Sequence, residues 1–234
     1  MTPSATTRRD IGKSRLRKQP VKAGPGRPKD PEKRLAVLEA AKRLFLKHGF
    51  DGVSMEAIAI QAGVSKLTVY SHFGDKDALF AATIHAKCEE MLPPTLFAAA
   101  PKGAIRTQLT TIARAFFGLV TSPEAIALHR LMSARAAGDE RLPQMFWEAG
   151  PQRLQAGFVQ FLQSRVATGQ LEIPDLHRAA SQFFCLLKGE AHAKMACGCA
   201  VRLDRRQIAE HVRATVDLFL RAYAPRPEER RRRA

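Results

Sequence analysis

Apolar side chains recur at helical spacing along most of the chain. The first such segment carries an apolar residue every three or four positions, at Val37, Ala41, Leu44 and Phe45. This spacing is typical of an amphipathic helix. Asp30-Pro31 supplies an N-cap and a first-turn proline before it, and Gly49 suits its end. Because alternation typical of strands is scarce, the pattern predicts an all-α fold.

Glycine and proline residues divide the rest of the chain into segments of helical length. Ser122-Pro123 forms an N-cap and first-turn pair, and Gly150-Pro151 is expected to interrupt a helix. The last two helices are predicted over residues 175–197 and 204–223, with Asp175 and Asp204 as N-caps. Both helices carry an apolar stripe.

One stretch predicts two short helices joined by a tight turn. Ser54 caps the first helix, Gly63 suits a turn that needs a positive φ, and Ser65 caps the second. The outer face of the second helix is mostly polar, with Lys66, Leu67, Thr68, Tyr70 and His72. This is the helix-turn-helix arrangement, whose second helix fits a major groove about 12 Å wide. An ordinary helical corner is the alternative.

Charge is unevenly distributed. The chain has a net charge of +16, and residues 1–34 hold 11 basic and 3 acidic side chains, whereas residues 35–80 hold 5 of each. We therefore predict a disordered basic arm over residues 1–30 and a basic tail over residues 226–234. A nucleic-acid partner is favoured over a purely solubilising arm. Arg27 is a candidate for insertion into an A·T-rich minor groove.

Several classes of protein are disfavoured. No apolar run approaches the 20 or so residues of a spanning helix, and no apolar segment follows the basic N-terminus. We expect a cytoplasmic, nucleoid-associated chain without a membrane partner. The pair Cys197 and Cys199, near His192, lacks an evident fourth ligand, so we expect no metal and no cofactor. Without a nucleophile elbow, a phosphate-binding glycine loop or an H-E-x-x-H motif, we expect no enzymatic activity.

Three motifs follow one another in a single register over about residues 33–82. They are Phe45-x-x-x-Gly49-Phe50, Ser54-Met55-x-x-Ile58-Ala59-x-x-Ala62-Gly63-Val64-Ser65, and Thr68-Val69-Tyr70-x-His72-Phe73-x-x-Lys76-x-x-Leu79. Together they resemble the DNA-binding domain of the TetR/AcrR regulators. The C-terminal half carries Phe146-Trp147-x-x-Gly150-Pro151, Gly169-Gln170-Leu171 and Ala179-Ala180-x-Gln182-Phe183. These motifs resemble the AefR-like ligand-binding domain of the same family.

The resemblance implies an N-terminal three-helix helix-turn-helix domain over residues 31–80. A larger helical ligand-binding and dimerisation domain would follow over residues 81–225. In the family, positions matching Lys66, Leu67 and Thr68 contact base edges. Positions matching Ser54, Tyr70, His72 and Lys76 contact phosphates, and Ser65 completes the predicted DNA-binding set.

The resemblance also implies a homodimer in which the last two helices of each subunit form a four-helix bundle. The predicted interface uses their apolar stripes, with Phe183, Leu187, Ile208, Val212, Val216 and Phe219. Packing of both stripes inside one monomer is the alternative. A ligand pocket between the middle helices would be lined by Phe117, His129, Met132, Trp147, Gln155, Phe158 and Phe184.

These observations predict a ligand-responsive, sequence-specific transcriptional regulator that binds a double-stranded operator. Repression, relieved by a small hydrophobic or aromatic effector, is what the resemblance implies. The helix from about Asp75 to Leu92 would transmit the change, because it joins the DNA-binding and ligand-binding domains. The alternative is a constitutive DNA-binding architectural or interaction protein without an effector.

Overall fold

The computed structural model describes residues 30–98, 103–135 and 140–225, and every element in these ranges is a helix. The α-helices are α1 Pro31–His48, α2 Met55–Ala62, α3 Lys66–Phe73, α4 Lys76–Met91, α5 Ile105–Val120, α6 Pro123–Arg135, α7 Arg141–Ala149, α8 Pro151–Ala167, α9 Leu176–Ala196 and α10 Arg205–Tyr223. A 3-10 helix covers Pro94–Phe97. The predicted all-α fold is confirmed. The predicted tail and residues 1–29 of the predicted arm lie outside the described residues.

The predicted helix starts are confirmed by capping hydrogen bonds. The Asp30 carboxylate accepts from the Glu32 N–H at 3.0 Å, and Ser122 Oγ accepts from the Ala125 N–H at 3.2 Å. Asp175 caps α9, and Asp204 forms a capping box with Gln207 at the start of α10. Side-chain acceptors satisfy N–H groups that a helix start leaves without partners, so the boundaries follow local sequence.

The helices enclose two hydrophobic cores. The N-terminal core lies mainly among α1–α4, with Val37, Phe45, Phe50, Ile58, Val69, Leu79 and Phe80. The C-terminal core lies mainly among α5, α8, α9 and α10, with Leu109, Ile112, Phe158, Phe161, Leu162, Phe183, Leu187 and Val216. Burial of these apolar side chains supplies most of the free energy that favours folding.

Helix α4 connects the two cores. Ile84 of α4 belongs to the N-terminal core, and Cys88, one turn later, packs against both cores. The N-terminal core also takes in Met132 of α6 and Leu142 of α7. Packing therefore crosses residue 80, where the sequence predicts a boundary between domains.

Helix α9 contains a break that was not predicted from the sequence. Gly189 has φ 53° and ψ −162°, a conformation that lies outside the helical region and is essentially restricted to glycine. His211 of α10 lies against the break, with Nε2 2.8 Å from the Leu187 carbonyl oxygen. A Cβ atom at Gly189 would lie 3.0 Å from His211 Cε1. The break is thus fitted to the side chain of the neighbouring helix.

Most residues of the predicted dimer interface lie in the core of their own subunit. Five of its six residues, Phe183, Leu187, Val212, Val216 and Phe219, are buried in the C-terminal core, and Ile208 packs against that core half-buried. The more apolar stripe of each helix therefore covers the subunit's own core. The exposed apolar residues on these helices are Leu186 and Leu218.

None of the helices within the described ranges combines the length and apolar character needed to cross a bilayer.

Candidate DNA-binding surface and internal cavity

The turn between α2 and α3 has the geometry of a helix-turn-helix. Gly63 ends α2 in the left-handed conformation, with φ 66° and ψ 31°. Its N–H donates to the Ile60 carbonyl at 3.1 Å, and the Val64 N–H donates to the Ala59 carbonyl at 3.0 Å. Such paired bonds satisfy the last carbonyls of a helix and turn the chain sharply. The turn therefore sets the angle at which α3 leaves α2.

Helix α3 is anchored by one face and exposed by the other. Val69 is fully buried, which fixes the helix against the N-terminal core, whereas 78% of Leu67 is exposed. The Ser65 hydroxyl accepts from the Thr68 N–H at 3.1 Å and lies 2.8 Å from Thr68 Oγ1. The predicted base-contacting residues thus lie in the first turn of α3, and Leu67 projects furthest into solvent.

Lys66 has partners within the protein. It forms an ion pair with Glu56 of α2, and its ammonium lies 5.7 Å from the centre of the Tyr70 ring. The hydrogen bond that Lys66 donates to Glu56 raises the pKa of Lys66 and lowers the pKa of Glu56. Lys66 must exchange this partner to contact DNA, so Glu56 competes with DNA for the lysine.

The predicted phosphate-contacting residues differ in availability. Ser54 is exposed at the start of α2, where its hydroxyl accepts from the Ala57 N–H at 3.1 Å. His72 is half-buried, and its Nδ1 is enclosed without a hydrogen-bond partner in the described part of the chain. The Lys76 ammonium lies 4.3 Å from the centre of the Phe50 ring, and burial lowers the pKa of Lys76. Arg27 lies outside the described residues.

We use the name DNA-binding surface for the residues predicted to contact DNA that the structure describes: Ser54, Ser65, Lys66, Leu67, Thr68, Tyr70, His72 and Lys76.

A forked ion pair links the start of α4, next to this surface, to α7. Arg141 Nη1 lies 2.7 Å from Asp77 Oδ2, and Nη2 lies 3.0 Å from Asp77 Oδ1. Because Asp77 occupies the first turn of α4, this two-point contact holds the start of α4 against the start of α7.

An internal cavity of about 440 Å³ lies beside α4. Its wall is mostly apolar and includes Phe45 of α1, Phe80 and Ile84 of α4, Phe116 of α5, Met132 of α6, Trp147 of α7, Leu154 of α8 and Phe184 of α9. A cavity of this volume and composition is typical of a small-molecule site. Phe45 and Phe80 also belong to the N-terminal core, so the cavity reaches the helices that support the DNA-binding surface.

Five of the seven predicted ligand residues line this cavity: His129, Met132, Trp147, Gln155 and Phe184. The prediction is wrong for Phe158 and Phe117, which are buried in the C-terminal core and do not line the cavity. Phe158 packs against the Phe183 ring at 4.8 Å, and Phe117 packs against the His211 ring at 5.2 Å. Apolar spacing marks a buried face but does not separate core from cavity wall.

Two groups of cavity residues were not predicted from the sequence. Phe45 was assigned only to the core of α1, and its contribution to the wall depends on how α1 meets α6. Lys188 and His192 lie on either side of the Gly189 break in α9, and both line the cavity. Their spacing of four in the sequence was the one available signal, because residues four apart share a face of an unbroken helix.

No cluster of three or more His, Cys, Asp or Glu residues suited to a metal ion occurs among the described residues. Cys197 and Cys199 are exposed free thiols at the end of α9.

A helix-turn-helix with an exposed, polar second helix, attached to a larger helical body, defines a transcriptional regulator that acts through DNA binding. The profile described as "Bacterial regulatory proteins, tetR family" matches residues 37–83. The profile described as "AefR-like transcriptional repressor, C-terminal domain" matches residues 107–225, half of the chain. The chain belongs to the TetR family of transcriptional regulators, and its C-terminal domain is of the AefR-like type.

Curated relatives are similar over parts of the chain. The HTH-type transcriptional regulator YdeS of Bacillus subtilis is 32% identical over 133 residues, which are 56% of this chain and 64% of YdeS. The HTH-type transcriptional repressor AcnR of Corynebacterium efficiens is 39% identical over 49 residues, 21% of this chain and 26% of AcnR. The chain thus spans less than two thirds of these relatives.

Solved structures are similar over most of the chain. The Flavonoid-responsive Regulator FrrA is 32% identical, with a TM-score of 0.65, over 84% of this chain and 100% of FrrA. A chain from Mesorhizobium loti assigned to the TetR family is 27% identical, with a TM-score of 0.70, over 83% of this chain and 98% of that chain. The resemblance predicted from the sequence is confirmed.

Proposed function

We propose that this regulator is a homodimeric repressor whose affinity for its operator falls when a small apolar or aromatic molecule occupies the cavity. One observation carries this proposal: the same cavity is bounded by Phe45 and Phe80 of the N-terminal core and by Phe116 and Phe184 of the C-terminal helices. An occupant therefore contacts the support of the DNA-binding surface directly.

Helix α4 is the proposed route of the coupling. Phe80 packs edge-on against Phe45 and Phe50, with ring centres 5.4 Å apart in both pairs. Ile84 and Cys88, further along the same helix, line the cavity. An occupant that displaces α4 also displaces the aromatic cluster beneath the DNA-binding surface. It shifts operator affinity only to the extent that it binds the two arrangements of α4 unequally.

The proposed DNA contacts follow from exposure along α3. Lys66, Leu67 and Thr68 occupy its first turn, where side chains of a recognition helix meet base edges. Ser54 and Tyr70 flank this turn and are exposed, which suits contacts to phosphates. His72 and Lys76 complete the phosphate set. Lys76 must leave the face of Phe50 to do so.

The proposed subunit interface is the exposed face of α9 and α10 that carries Leu186 and Leu218. These side chains are 41% and 51% exposed, and an exposed leucine on each of two adjacent helices is a starting point for a four-helix bundle. We expect Leu218→Arg to shift the protein from dimer to monomer in sedimentation velocity, because it places a charge in the bundle. Gln163→Arg, which places the same charge at an exposed position of α8, should leave the dimer intact.

The effector response is testable without knowledge of the natural effector. Cys185 lines the cavity and is exposed, and Cys197 and Cys199 are exposed as well. In a Cys197→Ser, Cys199→Ser background, benzyl methanethiosulfonate attaches a benzyl group to Cys185 through a disulfide. Cys88 also lines the cavity, but burial raises its pKa to about 11, so it reacts slowly at neutral pH. Mass spectrometry verifies a single adduct.

Operator DNA is obtained by selecting tight-binding duplexes from a random pool with the purified protein. Fluorescence anisotropy then gives the affinity for the selected duplex before and after benzylation. We expect at least a tenfold loss of affinity that dithiothreitol reverses, and no change for the same background with Cys185→Ser. Sedimentation velocity checks that the adduct stays dimeric. Unchanged affinity with a verified adduct contradicts the proposed effector response.

The alternative is a constitutive DNA-binding protein without an effector. A salt series on the selected duplex and on a shuffled duplex of equal composition separates the two. Sequence-specific binding usually exceeds non-specific binding by about 10³-fold or more. A gap of that size that persists as salt rises supports the operator-specific regulator. Equal affinities that fall together with salt support the alternative, in which basic side chains contact phosphates only.

A further inference from the structure

One corner of the cavity differs chemically from the rest of its wall. Lys188 and His192 of α9 meet His129 of α6 there, and all three line the cavity. The His129 and His192 rings pack edge-on with their centres 5.2 Å apart, and only 9% of His192 is exposed. The corner therefore places one ammonium and two imidazoles beside a space otherwise bounded mainly by apolar side chains.

The charge of this corner is not balanced within the described part of the protein. The other two lysines of the wall have acidic neighbours: Lys42 lies 3.9 Å from Glu39, and Lys87 lies 3.4 Å from Glu90. Lys188 makes no ion pair with any residue in the described ranges. Glu124 is the one acidic residue among those lining the cavity.

Burial and the nearby Lys188 ammonium both disfavour protonation of the two imidazoles. Burial, together with the neighbouring Lys188 and His129, lowers the pKa of His192 to about 4. Burial also lowers the pKa of His129, and Lys188 again contributes. Lys188 is thus a charged group that acts on both rings. At neutral pH both rings are uncharged, and each has one N–H to donate.

We propose that the effector is an amphipathic organic acid whose single anionic group binds at the corner formed by Lys188, His129 and His192. Its apolar body would pack on Phe116 and Phe184, whose rings lie 4.3 Å apart, and reach Trp147 near the mouth of the cavity. An anion pairs with the Lys188 ammonium and accepts hydrogen bonds from the imidazoles, whereas a neutral ligand leaves that charge without a partner. This inference rests on the proposed use of the cavity as the effector site.

A matched pair of fluorescent probes tests the charge preference. Anilinonaphthalene sulfonate is an anion, and N-phenyl-1-naphthylamine is its uncharged counterpart without the sulfonate. Trp147 is the only tryptophan in the chain and lines the cavity. Energy transfer from Trp147 shows that a probe is bound near it. Loss of that transfer after benzylation of Cys185 in the Cys197→Ser, Cys199→Ser background shows that the probe occupies the cavity. The titrations use the full chain, the Lys188→Met variant and the Lys87→Met variant.

We expect Lys188→Met to lower the affinity for the sulfonate probe at least tenfold. The affinity for the neutral probe should stay within about twofold of that of the unmodified protein. Lys87→Met removes a lysine of the same wall that Glu90 already balances, so it should change neither affinity by more than about threefold. Circular dichroism confirms that both variants fold. If Lys188→Met leaves the affinity for the sulfonate probe unchanged, or lowers the affinity for both probes equally, the proposed anion-binding corner is contradicted, whereas the proposed use of the cavity is not. If neither probe accepts energy from Trp147 in the unmodified protein, the proposed effector site itself is contradicted.

Discussion

The DNA-binding surface and the cavity are held by interactions of very different range. In the helix-turn-helix, Ser54 caps α2, Gly63 ends it and Ser65 caps α3, and each of these contacts joins residues at most five positions apart. The cavity wall draws on residues from Lys42 to His192. The helix-turn-helix is therefore defined by local sequence, whereas the cavity exists only when seven helices have packed together. Four predictions test this difference.

The largest expected effect is a loss of stability from truncation in the C-terminal core. Phe183 is fully buried, and its ring packs against those of Phe158 and Phe219. Phe183→Ala should lower the free energy of unfolding by about 3–5 kcal/mol in urea denaturation, because it leaves a cavity among aromatic side chains. The control is Leu67→Ala, which truncates an apolar side chain that is exposed. It should change the free energy of unfolding by no more than about 0.5 kcal/mol. Comparable losses would contradict the assignment of Phe183 to the subunit core.

Two glycines with positive φ distinguish local from tertiary constraint. Gly63 adopts the left-handed conformation, and a Cβ atom there would have nothing within 4 Å. Gly63→Ala should therefore lower the free energy of unfolding by about 1–2 kcal/mol, from backbone strain alone. Gly189 combines a glycine-only conformation with the close approach of His211. Gly189→Ala should lower the free energy of unfolding further, by about 3 kcal/mol, because the backbone strain and the displacement of His211 both contribute. Thermal unfolding measures both, and a stabilised Gly189→Ala protein would mean that α9 straightens without penalty.

An exposed lysine of α3 should affect DNA binding without affecting stability. Lys66→Met should weaken binding to the selected duplex about tenfold, the loss typical of one specific contact, in fluorescence anisotropy. The melting temperature should stay the same within error, because the pair with Glu56 is solvent-exposed. Lys194→Met is the matched control, since Lys194 is also an exposed lysine paired with a glutamate, but on α9. Equal DNA affinities for the two variants would remove Lys66 from the DNA-binding surface.

The smallest expected effect is acid sensitivity of the cavity corner. The pKa of His192 is about 4 in the folded chain and 6.5 as its ordinary value, so the unfolded chain binds more protons between these pH values. Stability should therefore fall as the pH decreases from about 6.5 towards 4. Urea denaturation between pH 6.5 and 5 avoids most carboxylate titration. His192→Gln should flatten this dependence. An unchanged slope would mean that His192 is as accessible to protons in the folded chain as in the unfolded one.

The parts of the molecule that the sequence predicts well are those set by short-range chemistry. Asp30, Ser65, Asp175 and Asp204 cap the helices they were expected to cap, and Gly150-Pro151 separates α7 from α8. Each of these features depends on a side chain and a backbone group a few positions apart. The order and type of the helices follow from such signals together with the apolar spacing.

The parts that the sequence predicts poorly depend on which face meets which neighbour. The stripe with Phe183 and Val216 was assigned to a subunit interface because its spacing is the same whether it covers a partner or the subunit's own core. Phe158 was assigned to the cavity for a similar reason, since an inward-facing phenylalanine fits either place. The break at Gly189 depends on His211, more than 20 residues away, which no local pattern includes.

The central claim is that the cavity and the DNA-binding surface are coupled, and its most direct test runs from the DNA to the cavity. Thermodynamic linkage requires that the operator weakens occupation of the cavity by the same factor by which the occupant weakens the operator. In the Cys197→Ser, Cys199→Ser background, the Cys185 thiol exchanges with dibenzyl disulfide to give the mixed disulfide and benzyl mercaptan. Mass spectrometry measures the equilibrium constant of this exchange, once with the selected duplex and once with the shuffled duplex. We predict at least a tenfold lower equilibrium constant with the selected duplex. Equal constants with both duplexes would contradict the account.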